Sequence, residues 1–493
     1  MFGAGNEKWG SSIKLKRLKA EGQPIMRSMT CRVLVGLLAF GVGSSADQFS
    51  AAFADAPAQA LLAKGAKQEP HGPRLKDVRT RLAEQVAGKT AAEEAAKVNE
   101  CGTPQAFEEQ TIAQEAARAK AGFAIDLITR LSSKNQNVSV SPFGLSAVLS
   151  TLDLGADPAL RKAIAATMRL SPGAGKLEEL RRESRLINLA VQRDPRRFSS
   201  FNAVFVDHRL RLKPGIRDLA VADGDVDIQS IDFESRAGID GINDLLTKET
   251  NGRIKSILEP GSAPTLVAVN ALVFKDCWKT PFDKSKTTDK PFTRLDGTRA
   301  ERSTMSGAVD SAGYGTAGRF VAVELPYLDE NFALTLVTTQ REPAKAADFR
   351  EAVTLLAGID LADVKATLSL PKFGGATDND LLDTLSAMGL KPGLASANQL
   401  PGFSDGLKIG RVRQKTWLTV DEAGTEAAAA TVAEATRTAA GPKAVSVSFD
   451  KPFIYALRHR PTGTILMIGY VGDPDSSAQP AATETPPASD VSR

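Results

Sequence analysis

The stretch Asp421-Glu422-Ala423-Gly424-Thr425-Glu426-Ala427-Ala428-Ala429-Ala430-Thr431-Val432-Ala433-Glu434-Ala435-Thr436-Arg437-Thr438-Ala439-Ala440-Gly441-Pro442 follows directly on the strand-like Thr416-Trp417-Leu418-Thr419-Val420. By composition alone it is an alanine-rich helix, because alanine is the strongest helix former, or a flexible linker. The strand period of two gives a third reading. The odd positions from Thr425 to Ala435 are Thr, Ala, Ala, Thr, Ala and Ala, all small and uncharged, whereas Glu426 and Glu434 fall on the even side. A segment so divided can slot into the middle of a sheet, small face inward and acidic face toward water. Two glutamates carry the pattern, so the helix and linker readings stay open at this point.

The flanking sequence supplies strands for such a sheet. Leu266 to Phe274 is an almost unbroken apolar run with β-branched residues, the pattern of a strand covered on both faces. Phe453 to Leu457, Pro461-Thr462-Gly463 and Ile465 to Val471 predict a hairpin of two buried strands. Earlier, Phe123, Leu127 and Leu131 recur at helical spacing before the turn Ser132-Ser133-Lys134-Asn135, and a second helix is expected to start near Ser141-Pro142. Helices come early and strands late, so the fold class is α+β. Asn270 stands inside the apolar run. A buried, unpaired amide costs on the order of 1–3 kcal/mol, so it needs specific partners, and an internal structural network is the favoured reading over a ligand site.

Over 493 residues the chain is 42% apolar, and 62 Lys and Arg nearly balance 58 Asp and Glu, for a net charge of +4. That field calls for neither nucleic acid nor an anionic membrane. Three histidines and three scattered cysteines give no CxxC pair, no HExxH and no Cys/His cluster, so no metal and no cofactor are expected. Residues 1–46 read as a signal region: Arg27 and Arg32 precede the apolar run Val33 to Val42, and Ser44-Ser45-Ala46 suits signal peptidase. The run is shorter than the roughly 20 residues that span a bilayer. An ordinary buried helix is the bland alternative, a cut after Ala54-Asp55-Ala56 a second one, and the residues ahead of Met26 point to a mis-set start codon. The protein is therefore expected to be secreted or periplasmic, with no membrane contact after signal removal. Cys31 lies in the signal, which leaves Cys101 and Cys277, and no disulfide is expected between them. Residues 47–113, rich in Ala, Lys and Glu, read as a partly disordered extension; 114–475 as the globular domain; and 476–493 as a disordered tail.

These segments, taken together, resemble the serpin family over about residues 115–475. Glu422 to Thr431 looks like the serpin hinge, and Val447-Ser448-Phe449-Asp450-Lys451-Pro452-Phe453-Ile454 like the family's C-terminal signature. Asn137 to Pro142, Thr250-Asn251-Gly252, Asn270 to Trp278 with Pro281-Phe282, and Gly469-Tyr470-Val471-Gly472-Asp473-Pro474 are similar to serpin segments in the right order. The type suggested is a secreted, bacterial one. The resemblance implies a metastable fold of three β-sheets with eight or nine helices and an exposed reactive-centre loop. It further implies a suicide-substrate inhibitor, not an enzyme, whose partner is a serine protease and which works as a monomer. Attack on the loop forms an acyl-enzyme; the cut loop then inserts into the central sheet and distorts the protease.

The implied moving part is Glu422, Gly424, Thr425, Ala427, Ala429 and Thr431. The usual spacing of about fourteen residues beyond the hinge glycine puts the reactive bond at Thr438-Ala439, for an elastase-like target. One residue less puts it at Arg437-Thr438, for a trypsin-like target. Of the hydrogen-bonded network that serpins carry under the central sheet, Ser141 and Asn270 match. Gly144 stands where a serine is expected and Gln414 where a histidine is, so the network is rebuilt around the glutamine amide, with water filling the space at Gly144. Trp278 matches the tryptophan at the top of the sheet. Arg181, Arg182, Arg185, Arg193, Arg196 and Arg197 lie where some serpins bind polyanions, but the interspersed Glu178, Glu179, Glu183 and Asp194 favour a solvated, ion-paired face. The leading alternative function is a non-inhibitory serpin acting as a carrier or chaperone-like binder. A hydrolase is disfavoured, since there is no Gly-x-Ser-x-Gly elbow and neither His208 nor His459 has an evident acidic partner.

Overall fold

The structure is a computed structural model, and it describes residues 104–474 apart from 133–135, 171–176, 179, 182–184, 186–197, 225, 260–263, 360 and 426–443. Seven α-helical segments occur among the described residues: α1 (Pro104–Leu131), α2 (Pro142–Leu152), α3 (Pro158–Thr167), α4 (Ile216–Gly224), α5 (Arg236–Glu249), α6 (Val353–Leu356) and α7 (Leu382–Leu385). The strands are β1 (Val138–Val140), β2 (Phe198–Asp207), β3 (Asp227–Ile231), β4 (Leu266–Phe274), β5 (Asp276–Cys277), β6 (Thr288–Thr293), β7 (Arg299–Ala317) and β8 (Phe320–Pro326). They continue as β9 (Phe332–Thr339), β10 (Ala362–Pro371), β11 (Phe373–Asp380), β12 (Arg411–Val420), β13 (Gly424–Thr425), β14 (Ala444–Ser448), β15 (Phe453–His459) and β16 (Thr464–Val471). The α+β composition expected from the sequence is thus present. α1 starts at Pro104, so residues 104–113 of the expected extension are helical; the signal region, residues 47–103 and the tail lie outside the described residues.

Among the described residues the ladders join into two sheets, so the expected three are not separated there. In the central sheet the order is β3-β2-β4-β12, with β11 on the far side of β12 and the short β13 lying between β12 and β5. In the other, β1-β16-β15-β9-β8-β7-β10-β14 run in order with β6 also on β7. The physical reason is β7. Its 19 residues pair with β6 and β10 in their first part and with β8 in their last, so one continuous strand joins two groups of ladders. The expected eight or nine helices are not reached among the described residues.

Local chemistry explains the elements that matter for the site. Pro142 occupies the first turn of α2, where its missing N–H is no loss, and the Ser141 hydroxyl caps the helix by accepting from Gly144 N at 3.0 Å. All nine residues of β4 are buried, as the apolar run predicts. Its two sides enter different cores: Leu272 and Phe274 join the cluster between the sheets, whereas Val267, Val269, Ala271 and Val273 pack with Ile239, Ile242 and Leu246 of α5. The expected C-terminal hairpin is β15 and β16, and β16, the last described strand, lies between β15 and the early β1. Its end is clasped. Asn137 Oδ1 accepts from Gly472 N and Asp473 N at 2.8 and 3.0 Å, and the Asp473 carboxylate binds Arg294 at 2.7 Å and Arg302 at 2.8 Å.

Candidate functional site at the top of the central sheet

β12 alternates along its length: Val412, Gln414, Thr416 and Leu418 are buried, whereas Arg411, Arg413, Lys415 and Trp417 are half-buried on the other face. Its parallel ladder with β4 runs from Arg411↔Val267 to Trp417↔Val273 and stops there. Above that point the chain turns back. The Asp421 carboxylate accepts from Ala423 N at 2.8 Å and Gly424 N at 3.2 Å, the side-chain-to-backbone turn that Asp favours. Gly424 and Thr425 then run antiparallel to both neighbours, with Val420↔Thr425 on the β12 side and Gly424↔Cys277 and Thr425↔Asp276 on the β5 side. Of the residues expected to form the hinge, Gly424 and Thr425 therefore occupy a strand position in the sheet.

That position is closely fitted. Gly424 has φ +154°, and a Cβ there would lie 2.2 Å from Asp276 O, so only glycine fits. Thr425 is fully buried, and its hydroxyl is 2.6 Å from the Tyr327 hydroxyl. The Tyr327 ring stacks on Trp278 at 4.6 Å, and burial pushes the Tyr327 phenol well above its usual range. Trp278 Nε1 donates to Asp421 O at 3.0 Å, while Trp278 N donates to Ala423 O at 3.0 Å. Phe282 N donates to Glu422 O at 2.8 Å. Glu422 is 3% exposed, and its Oε1 accepts from Thr287 Oγ1 at 2.7 Å and pairs with Lys372 Nζ at 2.8 Å. Burial acts to raise the Glu422 pKa, but these hydrogen bonds outweigh it and hold the carboxyl below its ordinary value. Burial dominates at the neighbouring Asp421 and raises it.

Ser141, Asn270 and Gln414 do come together under the sheet, and the structure adds two members. Asn202, Asn270, Gln414 and Asn379 are register partners on β2, β4, β12 and β11, so four amides form one row across four strands. Asn270 Nδ2 donates to Asn202 Oδ1 at 2.7 Å, and Gln414 Nε2 donates to Asn270 Oδ1 at 2.7 Å and Ser141 O at 2.9 Å. Ser141 N donates to Gln414 Oε1 at 2.7 Å, and Asn379 Nδ2 to Ser139 O at 2.8 Å. The expected water at Gly144 is corrected: a Cβ there would lie 2.0 Å from Asn270 Nδ2, so the Asn270 amide itself fills the space. Asn202 was legible by the same logic as Asn270, a polar residue in an apolar strand. Thr287, Tyr327 and Lys372 carry no local signal, because their partners lie 135, 98 and 50 residues away along the chain.

Ala427, Ala429, Thr431, Arg437, Thr438 and Ala439 lie outside the described residues, as do Arg182, Arg193, Arg196 and Arg197. The reading of the arginine cluster as a solvated face does not hold for Arg181, which is 7% exposed and donates to Ser150 O at 2.8 Å and Asp153 Oδ2 at 3.4 Å. Arg185 donates inward to Ala222 O. His208 has acidic neighbours after all, with Asp207 and Asp232 carboxylates each 3.9 Å from Nδ1. Arg209 holds both Asp207 oxygens, at 2.8 and 2.7 Å, and keeps that carboxyl below its usual range. Cys277 is a free cysteine.

The family model described as Serpin (serine protease inhibitor) matches residues 118–474. Among the relatives, Serpin-Z2A of Triticum aestivum is 31% identical over 381 residues, covering 71% of this chain and 94% of its own length. Glia-derived nexin of Mus musculus is 29% identical over 367 residues, covering 70% and 89%. Native protease nexin-1, solved with heparin, superposes with a TM-score of 0.62 at 22% identity, over 73% of this chain and 100% of that one. Human thyroxine-binding globulin, solved with its hormone, gives 0.64 at 23% identity, over 73% and 99%. These relatives are from a plant and a mammal, which gives no support to the bacterial type expected from the sequence. A match that runs from within α1 to the clasp at Asp473, and a wheat relative covered over nearly its whole length, place this chain in the serpin family.

Proposed function

We propose that the protein is a suicide-substrate inhibitor of a serine endopeptidase, which traps the acyl-enzyme by drawing the cleaved loop into the central sheet between β4 and β12. The observation that carries the reading is β13. Thr425 sits between two strands with a register on each side, and both registers can be continued along the chain. Counting from Val420↔Thr425, residue 431 falls opposite Gln414; counting from Thr425↔Asp276, it falls opposite Asn270. Gln414 and Asn270 are themselves partners in the closed seam, so a strand beginning at Thr425 can enter it without a change of register. Thr425 faces the interior, which assigns Ala427, Ala429 and Thr431 to the same inward side. These are the small, uncharged residues that burial without a penalty requires.

In this reading the bait is Thr438-Ala439, with Arg437-Thr438 as the neighbouring choice, and the protein acts as a secreted or periplasmic monomer. The globular domain is assigned to 114–475. A non-inhibitory carrier would need neither a small inward face nor a hinge seated in the sheet. The test is to incubate the full chain with elastase and trypsin separately and run denaturing gels. A covalent complex with one of them is expected, and the mass of the released fragment identifies the bond. Clean cleavage without complex by both would leave the carrier reading standing.

A further inference from the structure

Where β7, β8, β10 and β15 of the second sheet meet the end of α6 there is a cavity of about 440 Å³, within the range of small-molecule sites. Arg458, 5% exposed, and the equally buried Glu324 line it together with Arg460. Arg458 Nη1 donates to Glu324 Oε2, which also accepts from Thr335 Oγ1 at 2.9 Å, and Arg460 Nε pairs with Glu324 Oε1 at 3.2 Å. One carboxylate therefore serves two arginines. The side-chain bonds of Arg458 to other described residues all run through Nη1, and its Nε is buried with no hydrogen-bond partner. A buried donor left in that state is costly. Gly358, at φ +71° just beyond α6, makes room for the guanidinium, since a Cβ there would collide with it. Burial lowers the Arg458 pKa and the neighbouring Arg460 adds to that, against the opposite pull of Glu324.

We propose that this cavity binds a small monocarboxylate with an apolar body, its carboxylate held by the Nε–Nη2 edge of Arg458 and by Arg460. That edge bonds nothing among the described residues, and its planar fork matches the two oxygens of a carboxylate. Charge sets the class of ligand. Two guanidiniums against Glu324 leave one positive charge, which a monoanion balances. Asp363 also lines the cavity, but it is exposed and screened by water, so it tempers the field and disfavours a dianion. Leu361 and Pro461 supply apolar wall for the rest of the ligand. At Gly313 no side chain projects inward; a Cβ there would already lie 3.0 Å from Glu324 Cβ. All of these residues belong to the second sheet or its connections, so binding there needs neither loop insertion nor inhibition.

The experiment uses the full chain, with 2-naphthoate as the probe and uncharged 2-naphthamide, sulfate and phosphate as controls, read by calorimetric titration and melting temperature at neutral pH. At millimolar concentration 2-naphthoate should bind wild type and raise its melting temperature, while the amide does neither. Arg460→Gln is expected to weaken the titrated affinity about tenfold, the scale of a hydrogen bond to a charged group. Glu324→Gln removes the competing carboxylate and should tighten it, an outcome that a merely structural ion pair would not give. Leu361→Glu, at a half-buried wall position, should abolish binding and keeps the test decisive if either of the other variants fails to fold. No binding of 2-naphthoate to wild type overturns the site. Equal binding of the amide overturns the role of the carboxylate, and equal binding of sulfate or phosphate overturns the monocarboxylate class. Unchanged affinity in both Arg460→Gln and Leu361→Glu puts the naphthoate elsewhere on the molecule and overturns the cavity.

Discussion

β12 has two flanks, and they are built to different standards. Toward β11 it is antiparallel and registered over eight pairs, from Phe373↔Val420 to Asp380↔Arg413, with Asp378 tying Arg413 and Lys415 across the strands. Toward β4 it is parallel, stops at Trp417↔Val273, and is wedged apart above by Gly424 and Thr425. Parallel pairing is slightly weaker per residue, and a side-chain link across this flank is the hydrogen bond from Gln414 to Asn270. Both remaining ends of that link stay bonded if it breaks, Gln414 to the Ser141 backbone and Asn270 to Asn202. One flank is zipped, and the other gives way to β13 above Trp417.

The comparison can be broken most severely at the wedge. Thr425→Arg forces a long charged side chain into the place where a fully buried hydroxyl meets Tyr327 and where Asp276 is the register partner. The covalent complex should fall by at least about tenfold while loop cleavage continues, since overpacking and burying a charge there exceed the 1.4 kcal/mol that each tenfold represents. Gel analysis of protease mixtures checks it. In the middle of the seam, Gln414→Ala strands the Ser141 N–H and one side of Asn270, while the Ser141 carbonyl keeps its bond from Leu145 N. A loss of about 2–3 kcal/mol is expected, read as a lower urea midpoint for the intact protein.

The latch beside the wedge should respond to pH. Glu422 is held below its ordinary value of 4.5 in the folded protein. Its contribution is therefore present above the unfolded pKa and is lost as pH falls through the lower folded value. Asp421 runs the other way: its raised pKa contributes stability that is present in acid and lost as pH rises through the folded value. Wild type should out-melt Glu422→Gln at pH 6, and the gap should close as pH falls below about 4. Lys372→Ala should destabilise at pH 6 by about 1–2 kcal/mol, because it takes the cation away from a buried carboxylate. The smallest effect belongs to the zipped flank. Asp378→Ala removes two ion pairs that are partly exposed, so a change within about 0.5 kcal/mol is expected, and complex formation should be unaltered.

Much of this was legible in the chain because it repeats locally. The apolar run of β4 with Asn270 in it, and Pro142 after a capping serine, each announce an element from neighbouring residues alone. Gly424 is legible for the same reason, at the turn after a strand. What could not be read depends on where distant segments meet. Lys372 and Thr287 are ordinary surface-type residues until they close on Glu422. Gly144 looks like a vacancy until the Asn270 amide fills it. Arg181 belongs to an arginine-rich stretch, yet it turns inward to Ser150 and Asp153. The three sheets that the resemblance implies are not separated among the described residues, where one 19-residue strand joins two groups of ladders.

The clasp at Asp473 has a consequence for how the molecule is made. Asn137 and Gly472 are hydrogen-bonded across 335 residues of chain, and β1 has no place in its sheet until β16 lies beside it. At roughly 5–20 residues per second, the ribosome delivers the second partner tens of seconds after the first. For that interval the nascent chain has its early helices and no finished second sheet, so it is kept from closing by its own order of synthesis. A chain that stops short of Asp473 would remain in that unfinished condition.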